Sequence, residues 1–264
     1  MKAKEFLDAG QLSAAIEQLT GEVKSHPTDT QRRTFLFELL CFAGEYQRAI
    51  RHLEVIAHQS TGAAVGVQVY RNILVAEEAR RRLFSDGLQP HLLFDPPPYL
   101  SLHLAAINRL REQQPAEAKA LLDQAEQARP PLRGEVDGTP FQDFRDGDDL
   151  MAPLLEVIVH DRYIWLPFEQ IKHLQISPPK RLRDLLWIPA TLETHPAPIG
   201  EVFLPVLYAG SCDHADDRVR LGRMTDWKVT EGGPVLGVGQ RLFLIDDQDR
   251  AMLEVREIKF EAVT

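Results

Sequence analysis

Ala9-Gly10-Gln11-Leu12-Ser13-Ala14-Ala15-Ile16 recurs as Ala43-Gly44-Glu45-Tyr46-Gln47-Arg48-Ala49-Ile50, 34 residues further along the chain. Leu19 maps onto Leu53 at the same offset. The residue types have a mechanical logic. Gly10 and Gly44 stand where a chain must reverse between two helices, and glycine alone enters the required backbone region without steric cost. Ala15 and Ala49 are small enough to let those helices approach closely. Pro27, twelve residues after Ala15, stops the second helix.

Thirty-four residues is the tetratricopeptide (TPR) period, a helix–turn–helix unit that stacks into a solenoid. A looser third unit follows, because Ala118 and Pro130 keep the twelve-residue spacing, with Leu121 and Leu122 between them. Its first helix is predicted over Tyr99–Glu112. Between the second and third units, Ala63–Phe84 reads as a long amphipathic helix with Val67, Tyr70, Ile73, Leu74, Ala76 and Leu83 along one side. Gly87, Pro90 and Asp95-Pro96-Pro97-Pro98 then form a rigid loop. A plain helical bundle with accidental repetition is the alternative. TPR units present a concave groove lined by the first helix of each pair, suited to a peptide or a partner helix. Aligned by its Gly and Ala, the second repeat places Gln31, Thr34, Glu38, Cys41 and Phe42 on that face, and Arg32 and Arg33 at the start of the same helix.

The bulk numbers narrow the class. A hydrophobic fraction of 44% with 26% charged residues is that of a soluble globular chain, and 264 residues suffice for two domains. Met1–Gly10 carries charge and helical periodicity, so it reads as helix and not as a secretory signal. No apolar run approaches the ~20 residues of a membrane span. Cys41 and Cys212 are the only cysteines, which fits a reducing compartment, and the cytoplasm is the expected location. A net charge of −9 argues against nucleic acid. Residues 1–132 hold 15 Lys+Arg against 16 Asp+Glu, and residues 133–264 hold 15 against 23, so the acidity belongs to the second half. The chain is therefore divided into a helical domain, 1–132, and an acidic domain, 133–264, to which a basic partner surface would be drawn.

In the second half the pattern changes. Gly134, Asp137, Gly138 and Pro140 mark a turn-rich entry, followed by Asp143, Asp146, Asp148 and Asp149. Leu154–His160 and Arg162–Leu166 read as a hairpin. Pro167 is placed at the first turn of a short helix, Phe168–Leu174. Val202–Tyr208 is a strand candidate, and Arg241–Asp246 with Ala251–Ile258 flank a second hairpin turning at 247–250. The fold class expected is TPR-like helical repeats followed by a compact, mostly antiparallel α+β domain.

Two clusters carry residue types capable of chemistry. Asp146, Asp148 and Asp149 lack the order and distal Glu of an EF-hand loop, and loop capping is the preferred role. Ser211-Cys212-Asp213-His214 with Asp216 and Asp217 matches no common zinc spacing, and reads as a solvated loop rather than a nucleophile–base pair. Gly232-Gly233-Pro234 and Gly237-Val238-Gly239 precede a strand, which excludes a dinucleotide loop. Trp165, Trp187 and Trp227 read as core or interface aromatics. No catalytic residue, metal ligand or cofactor is assigned. The expectation is a non-catalytic adaptor; the alternatives are a metal-binding or hydrolytic domain in residues 133–264, or a general TPR scaffold with another client.

Several segments together resemble the ImpE/SciE-type (TagJ) accessory proteins of type VI secretion systems. The likeness runs nearly end to end. It includes Glu38–Glu45, Ala76-Glu77-Glu78-Ala79-Arg80, Gly134–Gly138 and Asp146–Glu156. Its most specific parts are Tyr163-Ile164-Trp165-Leu166-Pro167-Phe168, Leu182–Ala190, Leu204–Ser211 and Leu221–Trp227. Two small departures are Gly147, where the family usually has Ala, and Ala209, where it usually has Pro. The resemblance implies an adaptor that associates with the small contractile-sheath subunit (TssB type) through that subunit's N-terminal helix. It also implies a link to sheath assembly, or to disassembly by the ClpV-type AAA+ ATPase. The docking surface is left among the helical groove, the C-terminal domain and the junction between them.

Overall fold

In the computed structural model the turn glycines of the repeat take the left-handed backbone their position demands, with φ of 75° at Gly10 and 70° at Gly44. Residues 2–59 and 61–263 are described; Met1, which opens the stretch Met1–Gly10 discussed above, lies outside the described residues. Helices α1 (Lys2–Asp8) and α2 (Leu12–Ser25) pack as one hairpin, and α3 (Thr30–Phe42) and α4 (Tyr46–Gln59) as the next. Ala15 and Ala49 have no exposed surface, as close helix approach requires. The Asp29 carboxylate caps α3 by accepting the Arg32 N–H at 2.9 Å. The long helix α5 (Ala64–Asp86) ends on Gly87, which is left-handed at φ 78°.

The third unit is α6 (Leu100–Arg111) and α7 (Pro115–Ala128). Its turn residue, Gln113, stands 103 positions after Gly10, the offset that also relates Ala118 to Ala15. Gln113 keeps the left-handed turn, at φ 59°, without the glycine that announces it elsewhere. The unit is thus a structural repeat whose sequence marker is lost. No helix among the described residues is long and apolar enough to cross a membrane.

Strands begin at β1 (Gly134–Val136), β2 (Thr139–Phe141) and β3 (Phe144–Asp146), followed by the hairpin β4 (Leu154–Val159) and β5 (Arg162–Pro167). Next come β6 (Ile171–Ile176), β7 (Trp187–Thr194), β8 (Pro198–Pro205) and the short helix α8 (Asp217–Arg220). The chain closes with β9 (Thr225–Val229), β10 (Val235–Gly239), β11 (Leu242–Ile245), β12 (Gln248–Ala251) and β13 (Glu257–Phe260). The main sheet has the order β2-β1-β13-β6-β7-β8-β4-β5 with antiparallel neighbours throughout. Strands β12-β11-β3 form a second sheet, and β9 and β10 a separate hairpin. At the outer strand β5, His91 of the loop after α5 donates its N–H to the Tyr163 carbonyl and accepts the Trp165 N–H. The fold class read from the sequence holds, and one continuous apolar core runs from Leu7 and Leu12 to Ile258.

Three local expectations are corrected. Phe168–Leu174 is a single 3-10 turn, Phe168–Gln170, after which β6 begins. Pro167 ends an edge strand, where a missing N–H costs nothing, and Ile171, Leu174 and Ile176 are buried in a strand paired on both sides. The second hairpin turns earlier, at Asp246-Asp247 with Asp246 left-handed at φ 50°; its return strand is β12, and β13 pairs elsewhere. The strand expected over Val202–Tyr208 is displaced to β8, and Leu207 makes only an isolated bridge to Gln240.

Candidate functional site

The face of α3 picked out by the repeat is divided along its length. Gln31 is exposed and Thr34 half-buried, and both line an open groove of about 760 Å³ between α1 and α3. Leu7 and Phe35 form apolar parts of its lining, while Lys4 and Asp8 border it from α1. Glu38 also lines this groove but is only 8% exposed, and Cys41 and Phe42 are buried. The cover comes from the second half of the chain, whose Leu182 lines the same groove.

Leu182 opens a 3-10 turn, Leu182–Leu185, braced by the Asp184 carboxylate, which accepts the backbone N–H of Lys180 and of Arg181. The next residue, Arg183, donates to Glu38 Oε1 at 2.8 Å and to the Tyr70 hydroxyl at 2.7 Å. Its guanidinium carbon lies 4.8 Å from the centre of the Tyr70 ring. Burial pushes the Glu38 carboxyl upward in pKa, with Arg183 opposing.

Behind this lip lies a buried ionic network joining α5 to the sheet. Glu77 and Arg80 share one face of α5, and Arg80 grips both oxygens of Glu156 on β4 at 2.7 Å each. Arg80 also donates to the Leu207 carbonyl at 2.8 Å. Arg241 bridges Glu156 to Asp146. Tyr163 donates its hydroxyl to Glu156 and in turn accepts the Trp165 indole N–H; the Trp187 indole N–H goes to Glu77 at 2.7 Å. Burial alone would raise the Glu156 pKa, but the flanking Arg80 and Arg241 outweigh it and hold the carboxyl at about 2.

The acidic cluster is the clamp of this region. Asp146 accepts the Asp148 N–H and the Tyr208 hydroxyl, both at 2.8 Å. Asp148 accepts the N–H groups of Leu150 and Gly237 at 2.7 Å, and Asp149 accepts that of Val235 at 2.8 Å. The carboxylates therefore hold their own loop and strand β10 in place, the capping role anticipated for them. Burial, with the negative Asp146 beside it, lifts Asp148 to about 7. No group of three or more His, Cys, Asp or Glu suited to a metal ion occurs among the described residues. Cys212 and His214 serve structure too. The Cys212 sulfur lies where a Cβ on Gly44 would approach to 2.8 Å, and His214 Nδ1 accepts the Asp216 N–H. The segment is thus a contact between the two halves of the chain as well as a loop.

Between α3–α5 and the second half, a partly enclosed cavity of about 370 Å³ remains. Phe42, Trp187, Tyr208 and Leu236 are among its walls, with Glu77 and Arg80 in its lining. Sequence reasoning assigned no role to Arg183, Glu77, Arg80, Glu156 or Arg241. The one available signal was in α5, where two charged residues share the side that carries Ile73, Leu74 and Leu83, an uncommon placement for unpaired charges.

Residues 138–259 match the family described as ImpE protein. The type VI secretion system accessory component TagJ of Pseudomonas aeruginosa is 38% identical over 261 residues, spanning 99% of this chain and 92% of that protein. The crystal structure of protein VPA1032 from Vibrio parahaemolyticus aligns with a TM-score of 0.92 at 25% identity, covering 99% of this chain and 98% of that one.

Proposed function

Because the chain belongs to the ImpE family of type VI secretion accessory proteins, we propose that it is a non-catalytic adaptor that holds an amphipathic helix of the small contractile-sheath subunit (TssB type) in the groove between α1 and α3. The carrying observation is the groove itself: Gln31 and Thr34 stand open beside apolar Phe35 and Leu182, the mixture a helix with one apolar face requires. In this reading residues 1–132 supply the two groove helices and residues 133–264 supply its closed end, so both halves shape the docking surface. The adaptor links the sheath subunit to sheath assembly or to ClpV-type disassembly in the cytoplasm. The engaged state of Asp146, Asp148 and Glu156, each bonded to backbone N–H groups or guanidinium, supports a structural over a hydrolytic role for the acidic half.

The test is calorimetric titration of the full chain with the N-terminal helix of the cognate sheath subunit. Binding is expected at about micromolar Kd, and Thr34→Trp, which fills the groove from a half-buried position, should weaken it at least about tenfold. Unchanged affinity in that variant would move the docking surface elsewhere. Absence of binding to the full chain would remove the sheath subunit as client.

A further inference from the structure

The cavity behind the groove has polar groups on its lining that are not fully used. Glu77 spends Oε1 on the Trp187 indole, but among the described residues Oε2 has only two long contacts, 3.4 Å from the Tyr46 hydroxyl and 3.5 Å from Arg80 Nη1. Good hydrogen bonds to oxygen run at about 2.7–3.2 Å, so both contacts leave capacity on each side. Arg80 directs Nε and Nη2 to Glu156 and Leu207, and that long contact is the one hydrogen bond Nη1 makes among the described residues. Glu77 and Arg80 are 5% and 6% exposed, so an under-used acceptor and an under-used donor stand side by side in a space lined largely by apolar side chains.

The charges decide what kind of head group fits. Glu77, Asp148, Glu156 and Asp213 border the cavity together with Arg80, Arg81 and Lys228, and Glu156 is already held by Arg80 and Arg241. A carboxylate pressed against Arg80 would also face Glu77, and an ammonium against Glu77 would also face Arg80. A neutral group with one acceptor and one adjacent donor satisfies both without importing a charge to be desolvated. A volume of about 370 Å³ lies within the ordinary range for small-molecule sites. We infer that this cavity is a binding site for a primary carboxamide on a flat apolar body, its carbonyl taken by Arg80 Nη1 and its NH2 by Glu77 Oε2.

A free small amide and a partner's glutamine side chain carry the same chemistry, so both are used as probes. Benzamide, benzoate, benzylammonium and N-acetyl-glutaminamide are titrated into the full chain while the Trp187 indole N–H resonance is followed by NMR. Benzamide is expected to bind at about millimolar Kd, at least about tenfold tighter than either charged isostere. Preference for benzamide names a free aromatic amide as the occupant, and equal binding of the glutamine probe names a protein side chain. Glu77→Gln must turn its oxygen to Trp187 and present NH2 beside Arg80, so it should reverse the order and favour benzoate. Ser85→Trp, at an exposed position on the cavity lining, should abolish binding of every probe. Binding of benzoate or benzylammonium to the unaltered chain as tightly as benzamide would overturn the assignment. So would an unmoved Trp187 resonance at benzamide concentrations about tenfold above that Kd. Both results come from the unaltered protein and stand even where a variant fails to fold.

Discussion

At its N-terminal end α3 leaves Gln31 exposed and Thr34 half-buried beside α1, whereas two turns further on Glu38, Cys41 and Phe42 lie under the second half of the chain. The two ends belong to one face of one helix and have the same repeat-derived spacing. What separates them is Arg183, which reaches 145 residues back to bond Glu38, and the Arg80–Glu156–Arg241–Asp146 network behind it. A TPR-like face is therefore available only where the chain has not already spent it on itself. The closed end is also specific in a way an apolar seal is not. Arg80 and Glu156 pair directly across the junction of α5 and the sheet, so a displaced α5 would strand two buried charges.

The strongest way to break the contrast is to remove one member of the network. Arg80→Met or Arg241→Met leaves Glu156 or Asp146 buried with a missing partner, and should lower stability by about 3–5 kcal/mol in urea denaturation. Replacing the charged set together by apolar residues should cost much less, because no charge is left stranded.

Acidity acts on the closed end next. Asp148 binds its proton more tightly in the folded chain, at about 7 against 3.8, so its contribution is full below pH 3.8 and is lost as pH rises through 7. The loss amounts to roughly 4 kcal/mol across that window. Glu156 has the opposite sign: its contribution is present above pH 4.5 and is lost as pH falls through about 2. Thermal denaturation across pH should therefore show a downward slope between about pH 4 and 7 that flattens in Asp148→Asn.

The two turn glycines sharpen the contrast at the level of single atoms. Gly44→Ala places a Cβ 2.8 Å from the Cys212 sulfur in a left-handed turn, whereas Gly10→Ala meets nothing closer than 3.5 Å. Gly10→Ala should lose about 1 kcal/mol and Gly44→Ala about 2–3 kcal/mol. Adding Cys212→Ala removes the sulfur but keeps a Cβ 3.2 Å away, so it should recover part of the excess of the second and leave the first unchanged, a double-mutant cycle read from urea midpoints. The smallest effect is expected far from either end: Gln113→Gly relieves a left-handed non-glycine turn and should stabilise by up to about 1 kcal/mol.

The legible part of the fold was the part whose signals are local or periodic. Gly10, Gly44, Ala15 and Ala49 revealed two repeats because each residue answers a constraint within its own turn. Gln113 shows the limit, since the backbone kept the turn after the side chain ceased to mark it. Phe168–Leu174 failed for a related reason: Pro167 is a good local signal for a helix start, but pairing of β6 with both β7 and β13 outweighed it. In the acidic cluster the bond from Asp148 to Leu150 spans two residues and was within reach of sequence reasoning, while its bond to Gly237 spans 89 and was not. Arg80 and Glu156 are 76 residues apart, and nothing in the sequence around either one names the other as its partner. The charged residues of the junction become intelligible only once topology has brought them together.

His91 has a consequence for the company the protein keeps. An outermost strand with free N–H and C=O groups is a template on which another chain can add itself. On β5, one residue of a proline-stiffened loop occupies the carbonyl of Tyr163 and the amide of Trp165, in the middle of the rim. At the far side of the same sheet β2 is only three residues long. Recruitment of further strands is thus discouraged at both borders of the main sheet, by an occupied rim on one side and a strand too short to serve as a template on the other.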